Sequence, residues 1–93
     1  DYPSPEVEAE LIVSETGIDS STAKRLVKIG NKIRNLTELG LTETASTRLL
    51  VDAAMLIKTG LAKKLAVDTA IVQPLTDDMD TVDALNSIAS LII

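Results

Sequence analysis

Apolar residues recur three and four apart along this chain, in runs bounded by residues that start or stop helices. In the first run Ser4 is a good N-cap. Pro5 suits the first helical position, where its missing N–H costs nothing. Glutamates follow in the first turns, as the helix dipole prefers. Val7, Leu11 and Ile12 make the apolar stripe, and Gly17 is a natural C′ residue. A second helix is predicted from Asp19-Ser20 to about Arg34. Its apolar face is Ala23, Leu26, Val27, Gly30 and Ile33. Residues 35–45 break any period, although Leu36, Leu39 and Leu41 are candidates to tuck into a core.

The third helix is predicted from Thr47 to about Thr59 and is apolar almost all round, from Leu49, Leu50 and Val51 to Leu56 and Ile57. Such a helix is normally central and covered by others. Gly60 ends it. A fourth helix spans about Ala62 to Val72, and Pro74 is expected to force a stop. Thr76 to Asp80 reads as a loop, with Asp80 or Asp78 capping a fifth helix. That helix carries Val82, Leu85, Ile88, Ala89, Leu91 and Ile92. The apolar tail Leu91-Ile92-Ile93 either packs on the bundle or is a cut edge. No stretch alternates as a strand does. The expectation is an all-α bundle of about five helices, with the third in the middle.

Composition narrows the chemistry. The 93 residues suit one small domain. The first residue is Asp1 and not methionine, so the chain is expected to be cut from a longer protein. Hydrophobic residues are 45% of the chain and Tyr2 is its one aromatic, so the core must be Leu, Ile, Val and Ala. There is no cysteine for a disulfide or a thiolate metal site. There is no histidine either, which with the missing cysteine excludes a hydrolytic triad. No apolar stretch approaches the roughly 20 residues of a membrane span, and no signal peptide is visible. A soluble cytoplasmic domain fits best.

The net charge of −5 disfavours a general nucleic-acid binder. Glu6, Glu8, Glu10 and Glu15 load one end, and Asp77, Asp78, Asp80 and Asp83 the other. Between them Lys24, Lys28 and Lys32 form one stripe on the second helix. That stripe is either a solvated face or a docking strip for an acidic neighbour.

Other motifs are weak. Asp77 and Asp78 are adjacent, and adjacent carboxylates serve caps and loops more readily than catalysis. Asp78, Asp80 and Asp83 lack the central glycine and terminal glutamate of an EF-hand loop. The chain has no G-x-x-x-x-G-K-[ST] phosphate loop. Asp19-Ser20 opening a helix resembles an acyl carrier protein over two residues only, without the leucine that usually follows. A free-standing interaction bundle, using the lysine stripe or the apolar tail, is the other alternative.

Arg48 stands out by position. With Ser46 as N-cap, Thr47 is at N1 and Arg48 at N2, where the dipole makes a cation unfavourable by roughly 0.3–1 kcal/mol. One reading is that the guanidinium and the exposed N–H groups answer an anion such as a phosphate. The other is a surface arginine that tolerates the cost, or pairs with Asp52 at i+4. The residues alone leave both open.

A family resemblance bears on that choice. The run Gly40-Leu41-Thr42-Glu43-Thr44-Ala45-Ser46-Thr47-Arg48-Leu49-Leu50-Val51, with Ala53-Ala54 and Leu56-Ile57, resembles the C-terminal domain of the CbbQ/NirQ/NorQ family, AAA+ ATPases of the MoxR group. Three other stretches are similar: Asp1-Tyr2-Pro3 with Glu6 to Ile12, Gly60-Leu61, and Pro74-Leu75-Thr76-Asp77-Asp78. The resemblance covers nearly the whole chain, in order.

It implies that residues 1–93 are a single helical lid domain, the C-terminal part of a longer ATPase. It implies that Arg48 is the sensor 2 residue, reaching the phosphates of ATP, with Ser46 and Thr47 shaping its turn. ATP and Mg would be cofactors of the parent, and the fragment alone is expected to bind ATP negligibly and to have no activity. The implied partners are its own AAA+ core, neighbouring subunits of a ring and a von Willebrand factor A-type protein. The implied client is an enzyme of the Rubisco or nitric oxide reductase type. The family usually has glycine where this chain has Thr44, and threonine does not readily adopt positive φ.

Overall fold

Local chemistry sets each helix boundary in the computed structural model, which describes residues 2–36 and 44–93. Helix α1, Pro5–Thr16, opens with the Val7 N–H donating to Ser4 Oγ at 3.3 Å. It closes at Gly17, whose φ of 75° lies in the left-handed region that glycine enters without a Cβ clash. Helix α2, Ser20–Arg34, is capped by Asp19, which accepts from the Thr22 N–H at 3.0 Å. Helix α3, Thr47–Lys58, is capped by Ser46. After it the Leu61 N–H reaches back to the Leu56 carbonyl at 3.0 Å.

Helix α4, Lys63–Val67, runs without a break into a π-helical turn, Asp68–Val72, and on into a short helix α5, Gln73–Leu75. Pro74 therefore does not stop the chain at Val72 as expected. Proline conflicts with the carbonyl four residues back inside a regular α-helix. Here the wider π-turn, with the Gln73 N–H bonded to the Asp68 carbonyl, resets the register just before Pro74. Pro74 then falls at the start of a new turn, where its missing N–H costs little. Asp68 also accepts from Gln73 Nε2 and from Asn86 Nδ2, tying the π-turn to the last helix.

That last helix, α6, spans Met79–Ile92. Of the two possible caps the structure uses Asp78, which accepts from the Thr81 N–H at 2.9 Å and its hydroxyl at 2.7 Å. The tail divides. Ile92 and Ile93 pack on the core, while Leu91 is 88% exposed.

All described elements are helical, as the 3.6-residue periodicity predicted. Helix α3 packs against α1, α2, α4 and the π-turn, which places it in the middle. Its cover is one-sided: Leu50, Ala53 and Ala54 are buried and Met55 is exposed. Helix α2 is the more deeply covered, through Leu26, Val27, Ile29 and Ile33. Each such side chain contributes roughly 1.5–3 kcal/mol by leaving water. The two helices meet at Gly30, where a Cβ would stand 3.0 Å from Leu50 Cδ1. A bare backbone at that crossing lets α2 approach α3 closely.

Of the stripe Val7, Leu11 and Ile12, only Ile12 is buried, so helix α1 is rotated from the orientation its hydrophobicity suggests. Val7 is 53% exposed and Leu11 is exposed as well. The inward face is Glu8, Ala9, Ile12 and Thr16. Leu36 does pack against the core. Leu39 and Leu41 lie outside the described residues.

Candidate functional site

The site grows from the start of α3. Ala45 is buried, and Ser46 has the extended backbone of an N-cap. Its Oγ accepts from the Leu49 N–H at 3.3 Å, and its carbonyl accepts from the Leu49 and Leu50 N–H groups. The first N–H groups of a helix have no partner within the helix, and a helix N-terminus favours an anion. Thr44 adopts no positive φ, and its Oγ1 has no hydrogen-bond partner among the described residues.

Arg48 follows at the second helical position with its side chain 84% exposed. Among the described residues its one ion-pair contact is Asp52, Nε to Oδ1 at 3.7 Å. At that distance and exposure the pair is worth little. The structure thus contains the Asp52 partner foreseen by the plain surface reading, and leaves the guanidinium extended into solvent beside the helix N-terminus.

Beneath this turn lies a polar cluster that sequence reasoning did not find. Glu8 of α1 and Arg34 of α2 form a bidentate pair, Nη1 to Oε1 at 2.8 Å and Nη2 to Oε2 at 2.7 Å. The two side chains are 0% and 6% exposed. Arg34 Nε donates to the Ala45 carbonyl at 2.7 Å, and Nη1 also donates to Asn31 Oδ1 at 3.0 Å. The Thr47 hydroxyl donates to Glu8 Oε2 at 2.7 Å. The Tyr2 ring lies across the guanidinium, its centroid 3.6 Å from Cζ, a cation–π contact.

Burial pushes the Glu8 carboxyl up. The Arg34 hydrogen bonds, the Thr47 hydroxyl and the Arg34 charge together bring it below its ordinary value. Glu8 is therefore a carboxylate at neutral pH with both oxygens engaged. The sequence offered one faint signal: Glu8, Ile12 and Thr16 share an i, i+4 face just as Val7 and Leu11 do. Hydrophobicity favoured Val7, Leu11 and Ile12, of which only Ile12 lies on the buried face, and Arg34 read as an ordinary cation in the last turn of a helix.

The remaining candidates are placed apart from this turn. Lys24, Lys28 and Lys32 line a shallow groove along α2 with Pro5, Glu6 and Val27. Asp19 is occupied as a cap by Thr22, and Ser20 is exposed at the first turn of α2. Asp78 is occupied by Thr81, while Asp77, Asp80 and Asp83 are exposed. What the start of α3 offers chemically is an exposed guanidinium at a helix N-terminus, an arrangement that favours a negative charge.

Residues 8–92 match the CbbQ/NirQ/NorQ C-terminal family. The chain is 47% identical over 89 residues to Protein CbbQ of Hydrogenophilus thermoluteolus, covering 96% of this chain and 33% of that protein. It is 44% identical over 91 residues to the denitrification regulatory protein NirQ of Pseudomonas aeruginosa, covering 98% and 35%. It is 38% identical over 92 residues to Protein NorQ of Paracoccus denitrificans, covering 99% and 34%. The chain thus spans about a third of the length of these relatives.

Proposed function

This chain belongs to the CbbQ/NirQ/NorQ C-terminal family, and we propose that it serves as the helical lid of an AAA+ ATPase of the MoxR group. In this reading ATP and its Mg ion are held by a core domain outside this chain. Arg48 is the sensor 2 residue and supplies positive charge to the phosphates, while Ser46 and Thr47 form the turn that presents it.

One observation carries the reading. A guanidinium stands in the first turn of a helix, where the dipole disfavours it, 84% exposed and, among the described residues, with only a weak carboxylate contact. Such an arrangement favours an incoming anion, because the helix N–H groups and the arginine act on it together. The absence of histidine and cysteine fits a part that binds charge and does no bond-breaking itself.

The mechanism is lid gating. Arg48 engages the phosphates when the lid closes on the core. Loss of the terminal phosphate removes part of what Arg48 faces, so the preferred lid angle changes. In a ring the change passes to the neighbouring subunit. The work done is remodelling of a client enzyme of the Rubisco or nitric oxide reductase type, with a von Willebrand factor A-type partner. The name of the NirQ relative, a denitrification regulatory protein, fits the second client class.

The test is Arg48→Ala in the full-length ATPase. Turnover is expected to fall about tenfold or more, as for loss of one donor to a charge that develops in the transition state, with the helical fold retained. Wild-type turnover in that variant would sink the assignment.

A further inference from the structure

We propose that Thr47, Glu8 and Arg34 are positioning residues for Arg48, forming a buried clamp that sets the direction in which the first turn of α3 presents it. The proposal rests on the sensor 2 reading and deepens it. The residues just before Arg48 are each anchored. Arg34 Nε holds the Ala45 carbonyl at 2.7 Å, Ser46 is spent on the cap, and the Thr47 hydroxyl is held by Glu8 at 2.7 Å. Two of the three anchors end on one ion pair, whose side chains are almost wholly out of water.

The geometry explains how the clamp acts. Successive side chains on a helix lie about 100° apart, from 3.6 residues per turn. Pinning Thr47 inward onto Glu8 therefore fixes the direction in which Arg48 leaves the helix. The helix start cannot roll or slide without lengthening a short, charge-assisted hydrogen bond. Arg34 is equally constrained, with its fork shared among Glu8, Asn31 and Ala45 and its face covered by Tyr2. The segment before α1, the end of α2 and the start of α3 are thereby joined at one guanidinium. Arg48 itself makes no hydrogen bond or ion pair with Glu8, Arg34 or the Thr47 side chain; the backbone at Thr47 is the link.

Loosening the clamp should act as a misplacement of Arg48. A shift of about 1 Å in a reacting group can cost roughly a hundredfold in rate. Removing one anchor of three should cost less, about threefold to tenfold.

The experiment measures ATP turnover and melting temperature of the full-length ATPase with Thr47→Val, Thr47→Ser, Arg48→Ala and the double variant Thr47→Val/Arg48→Ala. Valine keeps the shape and branching of threonine and removes only the donor; Thr47→Ala is a second route to the same loss if the added methyl repacks badly. Thr47→Val is expected to lower kcat about threefold to tenfold, with Thr47→Ser within about twofold of wild type. In the Arg48→Ala background the Thr47 change is expected to cost nothing further, because its effect passes through Arg48. A purely structural role would give the same loss with and without Arg48, and that result overturns the proposal. So does wild-type turnover in Thr47→Val, or failure of serine to rescue. Slow Arg48→Ala beside normal Thr47→Val removes the clamp and leaves the sensor reading standing. Normal turnover in Arg48→Ala removes both.

Discussion

Replacing Arg34 by methionine should both weaken the fold and reverse the sign of what Glu8 contributes to its response to acid. Arg34 makes four hydrogen bonds, two of them to Glu8, from a side chain 6% exposed. Methionine keeps much of the stem and removes the charge, so a carboxylate with no exposure is left, among the described residues, with only the Thr47 hydroxyl as donor. Removing one partner of a buried pair costs about 3–5 kcal/mol. A chain of this length has about 5–14 kcal/mol in all, at 0.05–0.15 kcal/mol per residue. The loss should lower the melting temperature by about 12–40 °C, at about 4–8 °C per kcal/mol.

The pH response follows from the proton affinity of Glu8. In the native protein burial pushes this carboxyl up, but Arg34 and Thr47 outweigh that and leave it below the ordinary value. The unfolded chain therefore binds the proton first, and the stability Glu8 contributes is lost as pH falls through and below the ordinary glutamate range. Without Arg34 burial is opposed by one hydroxyl, and the folded carboxyl rises above the ordinary value. The folded state then takes up the proton first, and the variant regains stability relative to wild type as pH falls from neutrality toward about 4.3. Asp19 and Asp78, both held low by Thr22 and Thr81 respectively, titrate alike in the two proteins and cancel in the difference. Urea unfolding of both proteins at several pH values between about 7.5 and 4.3 gives that difference directly. A loss under about 1 kcal/mol at neutral pH, or a variant midpoint that falls in parallel with wild type on acidification, would refute the reasoning.

Arg48→Ala should change the unfolding free energy by less than about 0.5 kcal/mol, since its pair with Asp52 is long and exposed; a large loss in urea unfolding would mean that Arg48 is structural. Gly30→Ala adds a Cβ 3.0 Å from Leu50 Cδ1 in the core. The crowding, about 1–3 kcal/mol, should exceed the gain in helix propensity of about 1 kcal/mol, so the melting temperature should fall and not rise. The orientation of α1 is checked by pairing Leu11→Ser, expected to cost under about 1 kcal/mol at an exposed position, with Ile12→Ala, expected to cost about 2–5 kcal/mol at a buried one. Equal losses in calorimetry would contradict the observed face.

Much of the architecture was legible because it is local. Ser4, Asp19, Ser46 and Asp78 accept from the N–H three residues on, and Gly17 takes a positive φ, all within one turn of chain. Caps and periodicity depend on neighbours three and four residues away, and these the sequence states outright. The position of Arg48 in the first turn of α3 was readable for the same reason. Pro74 misled because the rule that stops a helix before proline assumes regular α-geometry, and a π-turn tied down by Asp68, Gln73 and Asn86 supplies another.

The tertiary structure alone decided which face of α1 turns inward. Hydrophobic transfer by itself selects Val7, Leu11 and Ile12, and of these only Ile12 turns inward, beside Glu8. What buries Glu8 is an arginine 26 residues away, and the worth of that pair depends on geometry that no local window contains. A buried carboxylate is costly until donors meet it, here a guanidinium and a hydroxyl. Helix identity is a property of nearest neighbours in the chain. The cluster beneath Arg48 is a property of three chain segments brought together, and only the folded molecule contains it.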